Sequence, residues 1–250
     1  AGRRVLFHLA RCAPGYPARA GHAALGGRLA WADSMRFIGR PLLFTVGLAI
    51  GLVIAYELWI FGHVWWWVEN NPGTTAFMRA RLDAMREKNR DATISHRWLA
   101  YEQISPHLKR AVVAIEDAKF LGHEGFDWEG IQKAHEKNVK LGRIVMGGST
   151  ITQQLAKNLF LSGSRSPWRK AQEGVITVML EKMMSKRRIL EIYLNVIEWG
   201  DGVFGAEPAA RHYFRVAASQ LSAEQAARLA AMVPNPRFYD RNRNAPWLAT

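Results

Sequence analysis

The sequence predicts a mainly α-helical protein with a single N-terminal membrane-spanning helix. Two observations support this fold class. The chain contains one long apolar run that is almost free of charge, and the segments after it repeat the start signals of helices whereas strand signals are few. The 250 residues are enough for one domain with an appendage, and 49% of them are hydrophobic, so the chain can bury a core.

The first forty residues form a basic tail. They contain seven Arg and a single acidic residue, Asp33, and they show no clear amphipathic period. We expect residues 1–40 to be a disordered cytoplasmic tail. The sequence leaves open whether the natural chain starts in the region of Ala1 or at Met35.

The apolar run extends over twenty residues from Leu42 to Phe61, and Glu57 is its only charged residue. At about 1.5 Å per residue, a helix of this length spans roughly 30 Å, which is the thickness of the hydrocarbon core of a bilayer. Tryptophans near its end are typical of an aromatic belt at a membrane surface, and they are Trp59, Trp65, Trp66 and Trp67. We therefore predict a transmembrane helix with its aromatic belt over residues 41–67. The alternatives are a buried core helix and a cleaved signal peptide, although no small-residue cleavage pattern follows the run.

The distribution of charge predicts the orientation of this helix. Arg residues crowd before the run and none follows closely, so the positive-inside rule places the N-terminus in the cytoplasm and residues 68–250 in an extracytoplasmic domain. The lone Cys12 excludes an internal disulfide and a Cys-based zinc module. The formal net charge of +13 would suit a nucleic-acid binder, but a domain outside the membrane is poorly placed for one. Anionic lipid headgroups explain the charge more simply, and we expect no nucleic-acid partner.

Helix start signals recur along residues 68–250. An N-cap residue, in two cases followed by proline, precedes apolar residues at helical spacing. The predicted helices run over Thr75 to Glu87, from Ser105-Pro106 through Leu108, Val112 and Ile115, from Asp127 through Ile131, Ala134 and Val139, from Ser149 through Leu155 and Leu159, from Ser166-Pro167 through Ile176 and Leu180, from Ile189 through Leu194, and from Leu221 to Met232. The best strand candidate is Arg97 to Tyr101.

One candidate site lies at the end of the second of these helices, where Glu116 and Asp117 are followed by His123 and by glycines. Glu116 directly follows Ile115, which we expect to be buried, so Glu116 should lie at the edge of the core. Desolvation raises the pKa of a half-buried carboxylate, and such a group can act as a general base. An ordinary solvated helix end is the alternative.

Two further segments carry polar groups suited to an anion. Gly147-Gly148 lead into a predicted helix whose first N–H groups lack partners, beside the hydroxyl of Ser149, and such a helix start can bind an anion. The alternative is that Ser149 only caps the helix. A nucleotide-binding loop is not expected, because no Lys directly follows the glycines. Arg169, Lys170 and Glu173 share one helix face. They form either an exposed ion-pair cluster or a site that holds a diphosphate leaving group beside a second acid.

Together these segments resemble the peptidoglycan glycosyltransferases, the enzymes that polymerise lipid II into glycan strands. The runs EDAKFLGHEG, GGSTITQQLAKN, RKAQE, KRRILEIYLN and AARHYF occur in the order and spacing of that family, between about Asn71 and Tyr239. The single N-terminal membrane helix resembles most the monofunctional biosynthetic branch. The resemblance implies a lysozyme-like, mostly helical glycosyltransferase domain.

The resemblance also implies roles for individual residues. Glu116 matches the general base that takes a proton from the 4-hydroxyl of the acceptor sugar, and Glu173 matches the second glutamate, which assists departure or positioning of the diphosphate. A hydrophobic jaw that dips into the membrane would include part of the segment from Val139 to Met146. The basic positions around the diphosphate in this family are matched by Lys157, Arg165, Arg169 and Lys170. The polar positions that line the cleft are matched by Ser149, Gln153, Gln154 and Asn158.

The implied reaction is an inverting transfer that makes a β-1,4 bond and releases polyprenyl diphosphate. Its partners would be lipid II, the growing glycan chain and the bacterial inner membrane, with cell-wall synthesis or division proteins as further candidates. Some family members use a divalent cation, so Mg²⁺ or Mn²⁺ stays an option, although no metal-ligand spacing in this sequence requires one. The alternatives are a lytic transglycosylase or lysozyme-like hydrolase, which would have no use for the basic cluster, and an inactive membrane-anchored scaffold.

Overall fold

A computed structural model describes the backbone of residues 23–143, 147–161 and 166–248, and within these ranges the side chains from Pro41 onward except that of Trp247. The chain divides into two compact units, of which the first ends at Tyr56 and the second begins at Glu57. In the described ranges the protein is mainly α-helical, which confirms the predicted fold class. The helices are α1 (Ala23–Trp66), α2 (Ala76–Arg86), α3 (Pro106–Glu116), α4 (Trp128–Lys140), α5 (Ile151–Phe160), α6 (Pro167–Met183), α7 (Lys186–Val196), α8 (Ala206–Phe214), α9 (Ala223–Met232) and α10 (Pro236–Arg241).

Helix α1 begins earlier than the sequence predicts. The structure differs here from the expected disordered tail, because its backbone is helical from Ala23 onward, while residues 1–22 lie outside the described part. Once a helix has formed, each further residue costs little, and the segment before Pro41 is rich in Ala, Leu and Arg, which favour helix. From Pro41 to Trp66 the helix is long and apolar enough to span a membrane, with a mean hydropathy of 2.0. Only 6% of the most apolar window of this stretch is buried, so that part of α1 is not a core helix.

The last turns of α1 belong to the second unit and pack into its core. Ile60 and Val64 are completely buried. The ring of Phe160, the last residue of α5, lies 6.1 Å from the ring of Trp59 and 5.2 Å from that of Trp67, measured between centroids. The end of the predicted membrane helix is therefore held by aromatic contacts within the domain.

Most helices begin where the local sequence indicates. The predicted caps Ser105, Asp127 and Ser166 accept a hydrogen bond from a backbone N–H in the first turn of their helices. Thr75, where the first predicted helix of the domain starts, caps α2 in the same way. Helix α5 differs by one residue, because its cap is Thr150 and not Ser149. Gln153 accounts for the shift: its side chain accepts from the Thr150 N–H while the Thr150 hydroxyl accepts from the Gln153 N–H, which is a capping box.

A small sheet lies beside the helices. Its order is β1-β3-β2, with β1 (Ser95–His96) parallel to β3 (Val203–Phe204) and β2 (Glu198–Gly200) antiparallel to it. The predicted strand over Arg97 to Tyr101 is wrong, because this segment follows β1 and leads into a short 3-10 helix. The backbone N–H and C=O of Leu99 bond to the side-chain amide of Asn195, at 2.8 and 2.9 Å, and this side chain takes the place of a neighbouring strand.

The core is formed where α5 packs between α6 and α7, and α3 packs on α9. Leu108 and Val112 of α3 are fully buried, as predicted, but Ile115 is 43% exposed, so its predicted burial is wrong. Residues four apart lie on one helix face, and in α3 the residue that continues the inward face after Val112 is Glu116. The fold thereby turns a carboxylate toward the interior. Val139 of α4, which belongs to the segment of the predicted jaw, is exposed.

Candidate active site

The predicted site residues come together from three helices. Glu116 is the last residue of α3, Gln154 and Lys157 lie on α5, and the remaining charged residues lie on the first two turns of α6. Because α5 packs against α6, the site side chains of these two helices lie close together.

Glu116 is half-buried, and its Oε2 accepts a hydrogen bond of 2.7 Å from the side-chain amide of Gln154. Burial raises the pKa of Glu116 above its usual value, because desolvation disfavours the charged carboxylate. The hydrogen bond from Gln154 and the positive charge of Lys157 act against this rise, while the neighbouring Asp117 adds to it. The carboxylate is therefore a better proton acceptor than a solvated glutamate.

Gln154 is itself held by Tyr193 of α7. The Tyr193 hydroxyl donates a hydrogen bond of 2.9 Å to the Oε1 of Gln154. Tyr193 is completely buried, and burial raises the pKa of its phenol well above the ordinary value, so the hydroxyl keeps its proton. Tyr193 lies in a predicted helix, but its local sequence indicates no functional role, because a tyrosine among apolar residues at helical spacing is typical of core packing.

Asp117 and His123 form the structural link beside Glu116. Asp117 is buried, and its Oδ2 accepts a 3.0 Å hydrogen bond from the backbone N–H of Ile151, the first residue of α5. The Nε2 of His123 lies 2.9 Å from the Asp117 carboxylate, while the His123 Nδ1 accepts from the Gly125 N–H. The bond to Nδ1 places the imidazole proton on Nε2, facing Asp117. The acidic, His and Gly residues of this run therefore fix the turn that follows Glu116.

Glu173 lies between two cations and is only 3% exposed. Its Oε2 accepts a 3.2 Å hydrogen bond from the Arg169 guanidinium, and its Oε1 is paired with the Lys170 ammonium. The alternative of an exposed ion-pair cluster does not describe Glu173, whose carboxylate is buried, although Lys170 is half exposed. A buried carboxylate that has lost its cations would be strongly destabilising, so these three residues form one unit.

Lys157 lies within electrostatic reach of both glutamates. Burial lowers its pKa most, Arg169 and Lys170 lower it further, and the negative charges of Glu173 and Glu116 raise it. Within the described ranges, the Lys157 ammonium has no hydrogen-bond or ion-pair partner, whereas the Lys157 carbonyl accepts from the Leu161 N–H. An ammonium carries three hydrogen-bond donors, so this side chain is suited to binding an anion.

The other predicted site residues have different surroundings. Ser149 is exposed, and its hydroxyl lies 3.4 Å from the Lys170 ammonium. Gln153 and Asn158 are buried. The side chain of Gln153 takes part in the capping box with Thr150, and the side-chain amide of Asn158 donates to the Gln154 carbonyl. Arg165 lies outside the described residues, as do residues 144–146 of the predicted jaw.

No three His, Cys, Asp or Glu side chains among the described residues lie close enough together to hold a metal ion. Use of Mg²⁺ or Mn²⁺ stays a prediction, since Mg²⁺ is often bound by only one or two carboxylates together with the phosphates of a substrate.

Comparison with known proteins agrees with this arrangement. A family model described as Transglycosylase matches residues 83–249. The chain is 69% identical to a protein of Methylobacillus flagellatus, over 79% of this chain and 86% of the relative, and 67% identical to one of Nitrosospira multiformis, over 86% and 91%. A protein of Laribacter hongkongensis is 68% identical over 80% of this chain and 87% of its own length. The matched region contains the whole cleft, and the chain belongs to the transglycosylase family. Each of these three relatives is named a biosynthetic peptidoglycan transglycosylase, so the family predicted from the sequence motifs is confirmed.

The raised pKa of Glu116 predicts how stability depends on pH. A carboxyl whose folded pKa lies above its unfolded value, about 4.3 for glutamate, loses its stabilising contribution as the pH rises through the folded pKa. Glu116→Gln should therefore raise the melting temperature at pH 7, and the gain should shrink as the pH is lowered toward 4. The exposed Glu224→Gln is the control and should leave the melting temperature nearly unchanged at either pH. A melting temperature for Glu116→Gln that falls at pH 7 would contradict the dominant effect of burial.

Proposed function

We propose that the protein polymerises lipid II into β-1,4-linked glycan strands of peptidoglycan, by an inverting glycosyl transfer that releases polyprenyl diphosphate. Membership of the family and the names of the relatives support the reaction class. One observation carries the proposal. Glu116, which is half-buried and has a raised pKa, lies near the cations that are grouped around Glu173.

Glu116 supplies the base for the transfer. The 4-hydroxyl oxygen of the acceptor sugar attacks the anomeric carbon of the donor, and the Glu116 carboxylate takes the hydroxyl proton. A new C–O bond forms as the bond from the anomeric carbon to the diphosphate oxygen breaks, and that oxygen leaves with the electron pair. A base is most effective when its pKa is close to the working pH, and burial moves the pKa of Glu116 in that direction.

The cations stabilise the leaving group. Negative charge grows on the diphosphate as the bond breaks, and charge-assisted hydrogen bonds from Lys157, Arg169 and Lys170 would hold it. Glu173 keeps Arg169 and Lys170 on one side of the cleft, because both are bonded to its carboxylate. A hydrolase that cleaves finished glycan has no diphosphate to bind, so this cluster favours synthesis over cleavage.

The anchor suits a lipid-linked donor. Trp65 and Trp66, at the end of the candidate span, are 64% and 57% exposed and belong to the same compact unit as the cleft. Exposed tryptophans at this position favour a membrane–water interface, where a polyprenyl diphosphate would present its sugars. We infer a single-pass protein of the bacterial inner membrane, with the N-terminus in the cytoplasm and the cleft in the periplasm.

Purified protein incubated with lipid II tests the reaction. The wild type should form glycan polymer, and Glu116→Gln should reduce the rate by about 10²-fold or more, because the amide cannot accept the proton. A melting temperature at least as high as that of the wild type would show that the variant is folded. Polymerisation by folded Glu116→Gln at the wild-type rate would contradict the role of Glu116. Cleavage of finished glycan by the wild type, without growth from lipid II, would replace the proposal with a hydrolase.

Glu173→Gln tests the cation cluster. Loss of the carboxylate frees Arg169 and Lys170, and each lost charge-assisted contact costs on the order of 1.5–3 kcal/mol, so turnover of lipid II should fall by at least about tenfold. Glu129→Gln is a matched control, since Glu129 also pairs with two cations, Lys119 and Lys133, but is exposed. The control should keep its turnover. If Glu173→Gln polymerises lipid II as fast as the control, Glu173 has no part in the reaction.

Reporter fusions test the orientation. A reporter that is active only outside the cytoplasm, fused after Thr250, should be active, because the seven Arg before the span hold the N-terminus inside. The same reporter fused after Arg40 should be inactive. The reverse pattern would exclude a periplasmic cleft.

A further inference from the structure

We propose that Tyr193 is a positioning residue that acts through Gln154 to hold the carboxylate of Glu116 in its proton-accepting orientation. The proposal rests on the proposed function, in which Glu116 is the general base. It also gives Gln154 a role other than lining the cleft for substrate, because its amide is already engaged at both ends.

The three residues form a continuous chain of hydrogen bonds across three helices. The Tyr193 hydroxyl of α7 donates to the Oε1 of Gln154 on α5 at 2.9 Å, and the Nε2 of Gln154 donates to the Oε2 of Glu116 on α3 at 2.7 Å. Since α5 packs on α7, the core holds the tyrosine in a fixed position relative to the amide.

This chain has a direction that follows from donor and acceptor chemistry. An ionised carboxylate only accepts hydrogen bonds, whereas an amide has a donor end and an acceptor end. Rotation of the Gln154 amide by half a turn would place its carbonyl oxygen against the Glu116 carboxylate, which is repulsive. The Tyr193 hydroxyl donates to the carbonyl and so favours the orientation in which the N–H faces Glu116.

Burial makes the Tyr193 hydroxyl hard to replace. The side chain is 0% exposed, so bulk water has no access to the position of a deleted hydroxyl. A Gln154 carbonyl that loses its donor in this surrounding loses the energy of the hydrogen bond and gains no solvent contact. The amide of Gln154 would then lose its preference between the two orientations.

The charged groups around Glu116 set the sign of the expected pH effect. Lys157 of α5 and the Gln154 hydrogen bond lower the pKa of Glu116, while burial and the adjacent Asp117 raise it. Arg169, Lys170 and Glu173 of α6 act on Lys157. A weakened bond from Gln154 removes one of the two influences that lower the pKa, so the acid limb of the rate profile should move to higher pH.

The test compares Tyr193→Phe with Tyr213→Phe in the lipid II polymerisation assay over a range of pH. Tyr193→Phe should lower kcat about tenfold with little change in KM, and move the acid limb upward by about half a pH unit. Tyr213 also donates its hydroxyl, to the Trp199 carbonyl at 2.9 Å, but it takes no part in the chain that leads to Glu116. Its variant should lose a similar hydrogen bond and keep the wild-type kcat and acid limb. An unchanged acid limb in Tyr193→Phe would overturn the proposal.

A double-mutant cycle shows whether Tyr193 acts through Gln154. Gln154→Met keeps the length of the side chain and removes both ends of the amide. In that background Tyr193→Phe should have no further effect on kcat or on the acid limb, and additive effects would exclude the chain. If Tyr193→Phe does not fold, Gln154→Met alone must move the acid limb upward, and an unmoved limb would overturn the proposal.

A measurement without substrate separates this proposal from the proposed function. The titration of Glu116 can be followed by the infrared carboxylate band that Glu116→Gln removes, and Tyr193→Phe should shift that titration to higher pH. Failure of the wild type to polymerise lipid II would disprove the proposed function, whereas an unshifted titration would disprove the role of Tyr193 whether or not the protein polymerises.

Discussion

The hydrogen bond from the backbone N–H of Ile151 to the carboxylate of Asp117 joins the end of α3 to the start of α5. Because Glu116 is the residue before Asp117, this bond helps to fix where the Glu116 carboxylate lies relative to Gln154 and Lys157 on α5. The carboxylate also satisfies one of the unpaired N–H groups at a helix N-terminus, where negative charge is favourable. His123 holds the other side of Asp117, so the aspartate cannot turn away from α5.

The two glutamates of the cleft have opposite surroundings although both are at least half-buried. Glu116 has one neutral hydrogen-bond donor, and burial dominates its pKa. Glu173 is paired with a guanidinium and an ammonium. A pair of carboxylates in such different environments is a common way to divide the roles of base and charge stabiliser within one site. The charges of both glutamates raise the pKa of Lys157, which burial lowers.

Features set by neighbouring residues could be predicted from the sequence, and features set by tertiary packing could not. Caps such as Ser105 and Ser166 depend on a few adjacent residues, so they were identified correctly. Ile115 lies three residues after Val112 and Glu116 lies four residues after it, so either could continue the buried face of α3. Packing in the folded core selects Glu116, and the predicted burial of Ile115 is wrong for that reason. The contact of Tyr193 with Gln154 joins residues that are far apart in the sequence, and no local pattern reports it.

The aromatic packing of Phe160 has a consequence for how the protein can be divided. The buried Ile60 and Val64 are core residues of the domain although they lie on the predicted membrane helix. A fragment that starts at residue 68 would retain the complete cleft but would lose part of its own interior, and it would expose the apolar end of α5. The boundary between anchor and enzyme therefore falls inside a single continuous helix, and a water-soluble version of this domain would need new polar residues on α5 rather than a simple cut.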